Sequence, residues 1–211
     1  CLYPALVRME LIRERGFKGA RALGYVVRQG LIHRDGKPAN LLTVLNNGTI
    51  TDVKISDFGS VLNRGSDVTQ IYRVGSLAYM SPEQLDGGTL DCHADMYSLG
   101  AVLYHLIAGR PTFDGQVQSA MMHQIYHVKP ASLLGVRSGV SAGLDAVIQR
   151  ALAKNSAERY ANWDDFAQAL AGLIPPQQVP RGQLQGWLDS ERVTLWSTPG
   201  LLGRLAGGRL L

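Results

Sequence analysis

In the segment from Asp95 to Ala108, apolar residues would occupy nearly every side of a helix, whereas polar residues interrupt the apolar runs over most of the chain. A helix that is apolar all round belongs in the interior of a domain. Gly109 follows this segment directly and Pro111 comes shortly afterwards, an order typical of a helix that ends at a glycine cap. The pattern therefore predicts a buried central helix over residues 95–108.

Other segments carry apolar residues three and four positions apart, the spacing of a helix with one buried face. They predict further helices at residues 17–29, 116–127, 141–153 and 163–173. Gly30 comes directly after the first of these segments and is suited to close it.

Two β-prone runs, residues 41–45 and 50–56, flank an Asn-Gly turn and predict a β-hairpin. Such a hairpin would carry Asn40 at its start and Asp57 at its end. Asn40 and Asp57 both carry side-chain oxygens that can ligate a metal ion, and a hairpin provides the rigid support that metal ligands need. The predicted fold is mainly α with one short β-hairpin, an α+β class.

Composition bounds the classes of protein to which the chain can belong. Its 211 residues are 45% hydrophobic and 18% charged, which is enough apolar content for one domain core and excludes wholesale disorder. The net charge of +4 is modest, and Lys and Arg are scattered without interleaved aromatic residues. This distribution argues against nucleic acid as a partner.

The two cysteines, Cys1 and Cys92, give neither a disulfide framework nor metal-ligand spacing, which favours a reducing compartment. No apolar run approaches the roughly 20 residues that a membrane-spanning helix needs. We therefore expect a cytoplasmic location and leave open a membrane anchor through other regions. The sequence gives no indication of oligomeric state.

The densest chemistry lies in the loop His33-Arg34-Asp35-Gly36-Lys37-Pro38-Ala39-Asn40. Catalysis of phosphoryl transfer consists mostly of positioning and electrostatic stabilisation. Asp35 can accept the proton of an attacking hydroxyl, Lys37 can steady a phosphate, and Asn40 can ligate magnesium. Further on, Asp57-Phe58-Gly59 offers a second carboxylate for the metal.

In these residues the chain resembles the protein kinase family, whose signatures include an H-R-D catalytic loop ending in Asn and a D-F-G metal site. Lys37-Pro38 is similar to the Ser/Thr branch of that family. Ser81-Pro82-Glu83 stands where the family has A-P-E, and Gly75 to Met80 resembles the substrate-docking segment of bacterial Ser/Thr kinases. Three motifs in the family's order make a chance match improbable.

The resemblance implies a kinase large lobe that uses ATP and Mg²⁺ and acts on Ser/Thr hydroxyls of proteins. It implies catalytic roles for Asp35, Lys37 and Asn40, nucleotide contacts for Lys37, Asn40 and Asp57, and metal ligation by Asn40 and Asp57. It also implies structural roles for His33 in the catalytic loop, for Asp95 as an anchor of that loop, and for a buried ion pair of Glu83 with Arg159.

The resemblance further implies regulatory residues. An activation loop is expected at residues 60–75, with Thr69 in it and Ser76 beside it, and Arg34 is expected to bind a phosphate carried by that loop.

The chain also departs from the family pattern. Only 32 residues precede His33, and they contain no glycine-rich loop followed by a strand lysine. We therefore expect residues 17–174 to form the large lobe, with residues 1–16 as a remnant or an irregular segment and 175–211 as a Pro-rich linker and tail. Gly36 replaces the family's branched aliphatic residue, and we expect looser packing beneath Asp35.

Three functions remain open at this point. The first is a Ser/Thr protein kinase, here truncated, because its chemical residues are intact. The second is an impaired remnant or scaffold of the pseudokinase kind, which the absent small lobe and Gly36 favour. The third, a small-molecule phosphotransferase, fits less well because Ser81-Pro82-Glu83 resembles a peptide-docking segment.

Overall fold

The computed structural model describes residues 9–46, 49–58, 62–63, 77–87, 90–115 and 117–175. Within these ranges the helices, in chain order, are α1 (Met9–Arg28), α2 (Pro82–Leu85), α3 (Cys92–Ala108), α4 (Gln118–His127), α5 (Ala142–Ala151) and α6 (Trp163–Ala171). The strands are β1 (Leu31–Ile32), β2 (Leu41–Asn46), β3 (Thr49–Ile55) and β4 (Leu62–Asn63), and single 3₁₀ turns lie at Pro38–Asn40 and Ser156–Glu158. The prediction of a mainly helical fold with an antiparallel hairpin is confirmed.

Helix α3 is the centre of the domain, and nearly all of its residues from Ala94 to Ile107 are buried. Helices α1 and α5 pack against it, α6 packs against α1, and all four helices share one hydrophobic core. Burial of each Leu or Phe side chain in such a core contributes about 1.5–3 kcal/mol. The helix starts at Cys92, slightly earlier than the predicted Asp95, because the Asp91 carboxylate caps the backbone N–H of His93. It ends at Ala108, with Gly109 in the left-handed conformation as predicted.

Helix α1 begins at Met9, whereas the sequence predicts a helix only from residue 17. Residues 9–16 are therefore helical, in the part of the chain for which the sequence predicts a remnant or an irregular segment. Gly16 weakens a helix prediction, but in the structure it permits a close approach to α3. A Cβ on Gly16 would lie 3.0 Å from the side-chain methyls of Leu103. Packing against α3 thus outweighs the low helix propensity of glycine.

The hairpin pairs β2 with β3 in antiparallel register, from Leu41 opposite Ile55 to Asn46 opposite Thr49, with an irregularity between Val44 and Leu45. Its inner face contacts α1. The two-residue strands β1 and β4 form a second antiparallel pair. The hairpin and β1 bring the residues before and after them, including the loop from His33 to Asn40, to one edge of the helical body.

A smaller apolar cluster lies between α2 and α4 and consists of Leu77, Ala78, Met80, Phe113, Met121 and Ile125. It places the segment before α2 next to α4. None of the helices in the described part of the chain is long and apolar enough to cross a membrane. Thr69, Ser76 and Gly59, as well as residues 176–211, lie outside the described residues, so the predictions made for them stay predictions.

Candidate active site

The loop after β1 is held by a buried carboxylate of α3. The backbone N–H of His33 donates to Asp95 Oδ2 and that of Arg34 donates to Asp95 Oδ1, both at 2.7 Å. Burial raises the pKa of Asp95, while the charges of His33 and Arg34 and these two N–H donors oppose the rise. Both oxygens of one side chain thus accept from the backbone N–H groups of two consecutive residues. Asp95 therefore fixes the backbone immediately before Asp35.

Asp35, Lys37 and Asn40 meet at one carboxylate oxygen. Lys37 Nζ lies 2.5 Å from Asp35 Oδ2, and Asn40 Nδ2 donates to the same oxygen at 3.0 Å. Asn40 Nδ2 also donates to the Asp35 carbonyl at 2.8 Å, so the amide oxygen is turned away from Asp35. The structure thus brings together the acid, cation and amide predicted to carry the chemistry. The Pro38–Asn40 turn makes this possible because it brings Asn40 back toward Asp35.

Asp57 follows β3 and lies beside the same loop. The N–H of Ser56 donates to the Asn40 carbonyl at 3.0 Å, and Ser56 O is 2.9 Å from His33 Nε2. On the other side of Asp57, the Phe58 ring packs edge-on against His33 with centroids 5.1 Å apart. These contacts fix the backbone of Asp57 next to His33 and Asn40, and its side chain is exposed.

Arg34 and Asp57 have φ angles of +67° and +63°, the non-glycine residues with positive φ in the described part of the chain. Such a backbone costs on the order of 1–3 kcal/mol and persists where the surrounding structure enforces it. For Arg34 the enforcing contacts are known, since Asp95 holds its N–H and Gln84 Nε2 donates to its carbonyl at 2.9 Å. The two strained residues flank the cluster around Asp35.

The segment before α2 is tied to the loop and to α3. Gln84 uses its Oε1 to accept from the N–H of Ser81 at 3.1 Å while its Nε2 reaches Arg34. Ser98 of α3 donates through Oγ to the Tyr79 carbonyl at 2.8 Å. Sequence reasoning missed both tethers. The Ser-x-x-Gln spacing of a capping box was a usable signal for Gln84, but the sequence holds no signal for Ser98.

Glu83 and Arg159 form an ion pair through two contacts, Nη1–Oε1 at 2.6 Å and Nη2–Oε2 at 2.9 Å. Arg159 also donates to the carbonyls of His93 and Ala153 and lies 5.0 Å from the ring centroid of Tyr97. Burial raises the pKa of the Tyr97 hydroxyl. The pair connects the segment at α2 to the residues after α5.

Similarity to known proteins identifies the family of the chain. The sequence model described as the protein kinase domain matches residues 9–171. The chain belongs to the protein kinase family.

Mycobacterial serine/threonine-protein kinases are among its similar relatives. Serine/threonine-protein kinase PknB of Mycobacterium tuberculosis (strain H37Rv) is 36% identical over 198 residues, which is 90% of this chain and 30% of the relative. PknB of Mycolicibacterium smegmatis is 37% identical over 187 residues, or 85% and 28% of the two chains. Serine/threonine-protein kinase PknJ of M. tuberculosis is 37% identical over 182 residues, or 79% and 31%. The chain thus spans about 30% of the length of these relatives.

The structure of this kinase domain explains why a residue without a side chain stands at position 36, which the sequence does not reveal. A Cβ on Gly36 would lie 2.5 Å from Ser98 Cβ, closer than side chains approach in proteins. A cavity of about 20 Å³ also lies beside Gly36, between Leu23, Leu99 and Val102. The expected loss of packing is therefore local and small, and the glycine is required chiefly because the loop approaches α3 closely.

Tyr79 extends the contact between the docking segment and α3. Its hydroxyl lies 2.7 Å from His105 Nδ1, and the two rings are parallel within 3°. Burial raises the pKa of Tyr79 and lowers that of His105, so both groups are favoured in their neutral forms. A neutral hydroxyl–imidazole hydrogen bond results, with one group donating and the other accepting.

Arg34 is buried, and its Nε has no hydrogen-bond partner among the described residues. A buried guanidinium nitrogen without a partner is costly, and an anion would satisfy it. This observation fits the expected phosphate contact of Arg34. The two hydroxyls expected to supply or accompany that phosphate, Thr69 and Ser76, lie outside the described residues.

Proposed function

We propose that the chain forms the large lobe of a Ser/Thr protein kinase that transfers the γ-phosphoryl group of ATP to Ser or Thr hydroxyls of proteins. The observation that carries this proposal is the convergence of Lys37 and Asn40 on one oxygen of Asp35, with the loop backbone anchored by Asp95. Relatives named serine/threonine-protein kinases support the branch.

Asp35 is the proton acceptor for the substrate hydroxyl in this proposal. Asn40 orients the carboxylate by donating to both Asp35 Oδ2 and the Asp35 carbonyl, so the free lone pairs of Asp35 have a defined direction. Lys37 holds its ammonium group against the Asp35 carboxylate and is the side chain to contact the transferred phosphate. A base that is held in a defined direction is worth several orders of magnitude in rate, because positioning supplies much of the catalysis.

The residues at this edge fit a magnesium–nucleotide complex. Magnesium prefers oxygen ligands, and the amide oxygen of Asn40 and the carboxylate of Asp57 are of that kind. When bound, the metal neutralises charge on the phosphates. We propose Asn40 and Asp57 as its ligands and Lys37, Asn40 and Asp57 as contacts of the nucleotide.

Arg34 is proposed to bind, through its guanidinium group, a phosphate carried by Thr69. Ser76, in the neighbouring docking segment, is proposed as a further regulatory residue. Charge pairing of this kind orders a loop through new hydrogen bonds. The unpartnered Nε of buried Arg34 supports this proposal.

We propose that residues 9–174 form the large lobe, which extends the predicted start at residue 17 to the first residue of α1. Residues 175–211 are proposed as a linker and tail. Because the 211 residues contain no glycine-rich loop with a strand lysine, we expect efficient turnover only with those phosphate-binding elements.

The test uses a protein that joins this chain to a kinase small lobe carrying these elements. Transfer of labelled γ-phosphate to a general protein substrate is measured for wild type, Asp35→Asn, Asp57→Ala and the control Asp114→Asn, whose residue is exposed and remote in sequence from the loop. We expect wild type and the control to transfer phosphate and the two variants to lose it with the fold retained. Activity unchanged by Asp57→Ala would refute the metal assignment. An inactive wild type that still binds nucleotide would favour the scaffold alternative.

A further inference from the structure

Helix α4 carries two histidines, His123 and His127, one turn apart. Residues four positions apart in a helix are neighbours on its surface. Both side chains are exposed, and their ring centroids lie 5.0 Å apart with the planes tilted by 56°. Neither residue belongs to the site proposed for phosphoryl transfer, so the pair has no role assigned so far.

The other histidines of the chain are engaged in other contacts. His33 is buried and contacts Ser56, and His105 contacts the hydroxyl of Tyr79. His93 Nδ1 lies 2.9 Å from a carboxylate oxygen of Asp91. The chain contains five histidines, so His123 and His127 are the exposed pair.

The backbone that carries the pair is held from several sides. Gln124 Nε2 donates to the Asp114 carbonyl at 2.7 Å, and the Tyr126 hydroxyl donates to Asp86 Oδ1 at 2.7 Å. Ile125 is fully buried in the apolar cluster between α2 and α4. A metal ion that binds both rings therefore does not have to order the helix first, which lowers the entropic cost of binding.

We propose that His123 and His127 together bind one divalent first-row transition metal ion, Cu²⁺, Ni²⁺ or Zn²⁺. Metal–nitrogen bonds of about 2.0–2.1 Å require two ligating nitrogens roughly 3 Å apart. Ring nitrogens lie at the ring edges, so rotation of the side chains brings them to this separation from centroids 5.0 Å apart. Water completes the coordination on the exposed side of the helix.

Ligand chemistry separates this site from the proposed magnesium site. Neutral imidazole suits copper, nickel and zinc, whereas magnesium takes oxygen ligands such as those of Asn40 and Asp57. Affinity is expected to follow the general order in which Cu²⁺ binds more tightly than Ni²⁺ or Zn²⁺. The inference does not depend on phosphoryl transfer, and the two proposals can fail separately.

The test is a calorimetric titration of the 211-residue chain without a histidine tag. CuCl₂ and, separately, NiCl₂ are added in a non-coordinating buffer at neutral pH. His123→Asn and His127→Asn are compared with wild type and with the control His93→Gln. We expect one Cu²⁺ per chain in wild type and the control. Loss of either ligand is expected to weaken binding at least as much as loss of a supporting residue, roughly 10–100-fold. Circular dichroism checks that the surface variants remain folded, and the nitrogen couplings in the Cu²⁺ electron paramagnetic resonance spectrum report the ligands.

Two results would overturn the proposal. One is Cu²⁺ affinity that is the same in wild type and in the double variant His123→Asn/His127→Asn. The other is binding that survives in this double variant but is lost in His93→Gln. That result would place the ion at Asp91, Cys92 and His93, whose potential ligand atoms lie within 4.8 Å of one another.

Discussion

Arg159 and Glu83 pair through two hydrogen bonds although 76 positions separate them in the chain. The guanidinium side chain is fully buried, while the carboxylate side chain is 25% exposed. Their contact joins α2 to the turn that follows α5. Because one partner has no access to water, the pair behaves differently from a surface ion pair.

Glu83→Gln is expected to destabilise the domain by about 3 kcal/mol or more, since it leaves a buried positive charge without its counter-ion. Urea unfolding followed by circular dichroism measures the change. Asp164→Asn is the matched control, because Arg28 and Asp164 form an exposed pair at 3.9 Å. Its effect is expected to stay below about 1 kcal/mol. Equal effects of the two substitutions would contradict the structural role of the buried pair.

Asp95→Asn is expected to destabilise the domain by about 1–3 kcal/mol, because an amide offers only one acceptor oxygen and one of the two buried backbone N–H groups loses its partner. The local effect is sharper than the global one. Amide hydrogen exchange at His33 and Arg34 should accelerate strongly, while exchange in the β2–β3 hairpin serves as the internal control. Unchanged protection at these two amides would show that Asp95 does not hold the loop.

The sequence was sufficient for those parts of the fold that have a strong local pattern. The apolar run after Asp95 predicts a buried helix, and an Asn-Gly turn between β-prone runs predicts a hairpin; the structure has both. The structure also brings the side chains of Lys37 and Asn40 into contact with the Asp35 carboxylate, as the motif predicts. Motif spacing encodes such short-range geometry directly, since the loop closes within a few residues.

Tertiary packing determines the features that the sequence did not reveal. The first turns of α1 bury Met9 and Ile12 in the core, and Gly16 packs closely on Leu103; propensity alone does not contain these contacts. Strands β1 and β4 have two residues each, too few for any periodicity. Ser98 and Gln84 donate hydrogen bonds to the carbonyls of Tyr79 and Arg34, which are distant from them in sequence, and such contacts are visible only in the fold.

Gly36→Ala is expected to destabilise the domain by about 1–3 kcal/mol, as overpacking does in a close-packed region. The clash is with Ser98 Cβ rather than with the hydroxyl. A second substitution at position 98 therefore discriminates: Ser98→Gly should restore part of the loss in the double variant, whereas Ser98→Ala should not. A double-mutant cycle from urea unfolding measures the coupling. Equal behaviour of the two second-site variants would show that the Cβ contact is not the cause.

Lys154 predicts a pH dependence of stability. Burial, with a smaller contribution from the charge of Arg159, lowers the pKa of Lys154 from 10.5 to about 8. Its Nζ donates to the carbonyls of Gln124 and Ile125 and lies 4.1 Å from the ring centroid of Phe113. Between pH 8 and 10.5 the unfolded chain holds a proton that the folded chain has released. This group therefore makes the free energy of unfolding rise with pH in that window, and it adds no slope below pH 8.

The measurement compares urea unfolding of wild type and Lys154→Met at intervals from pH 7 to pH 10. Other titrating groups contribute equally to both proteins, so their difference isolates this lysine. We expect the stability of wild type relative to the variant to increase above pH 8. A difference that is flat or decreases with pH would exclude a lowered pKa at Lys154.

Helix α3 holds the catalytic loop through Asp95 and the docking segment through Ser98, three positions further along the same helix. With a rise of about 1.5 Å per residue, these two attachment points are separated by only about 4.5 Å along the helix axis. A single rigid helix therefore fixes the separation of the loop that carries Asp35 and the segment that carries Tyr79. In the proposed reaction this constant separation would present substrate peptides of different sequence at the same depth.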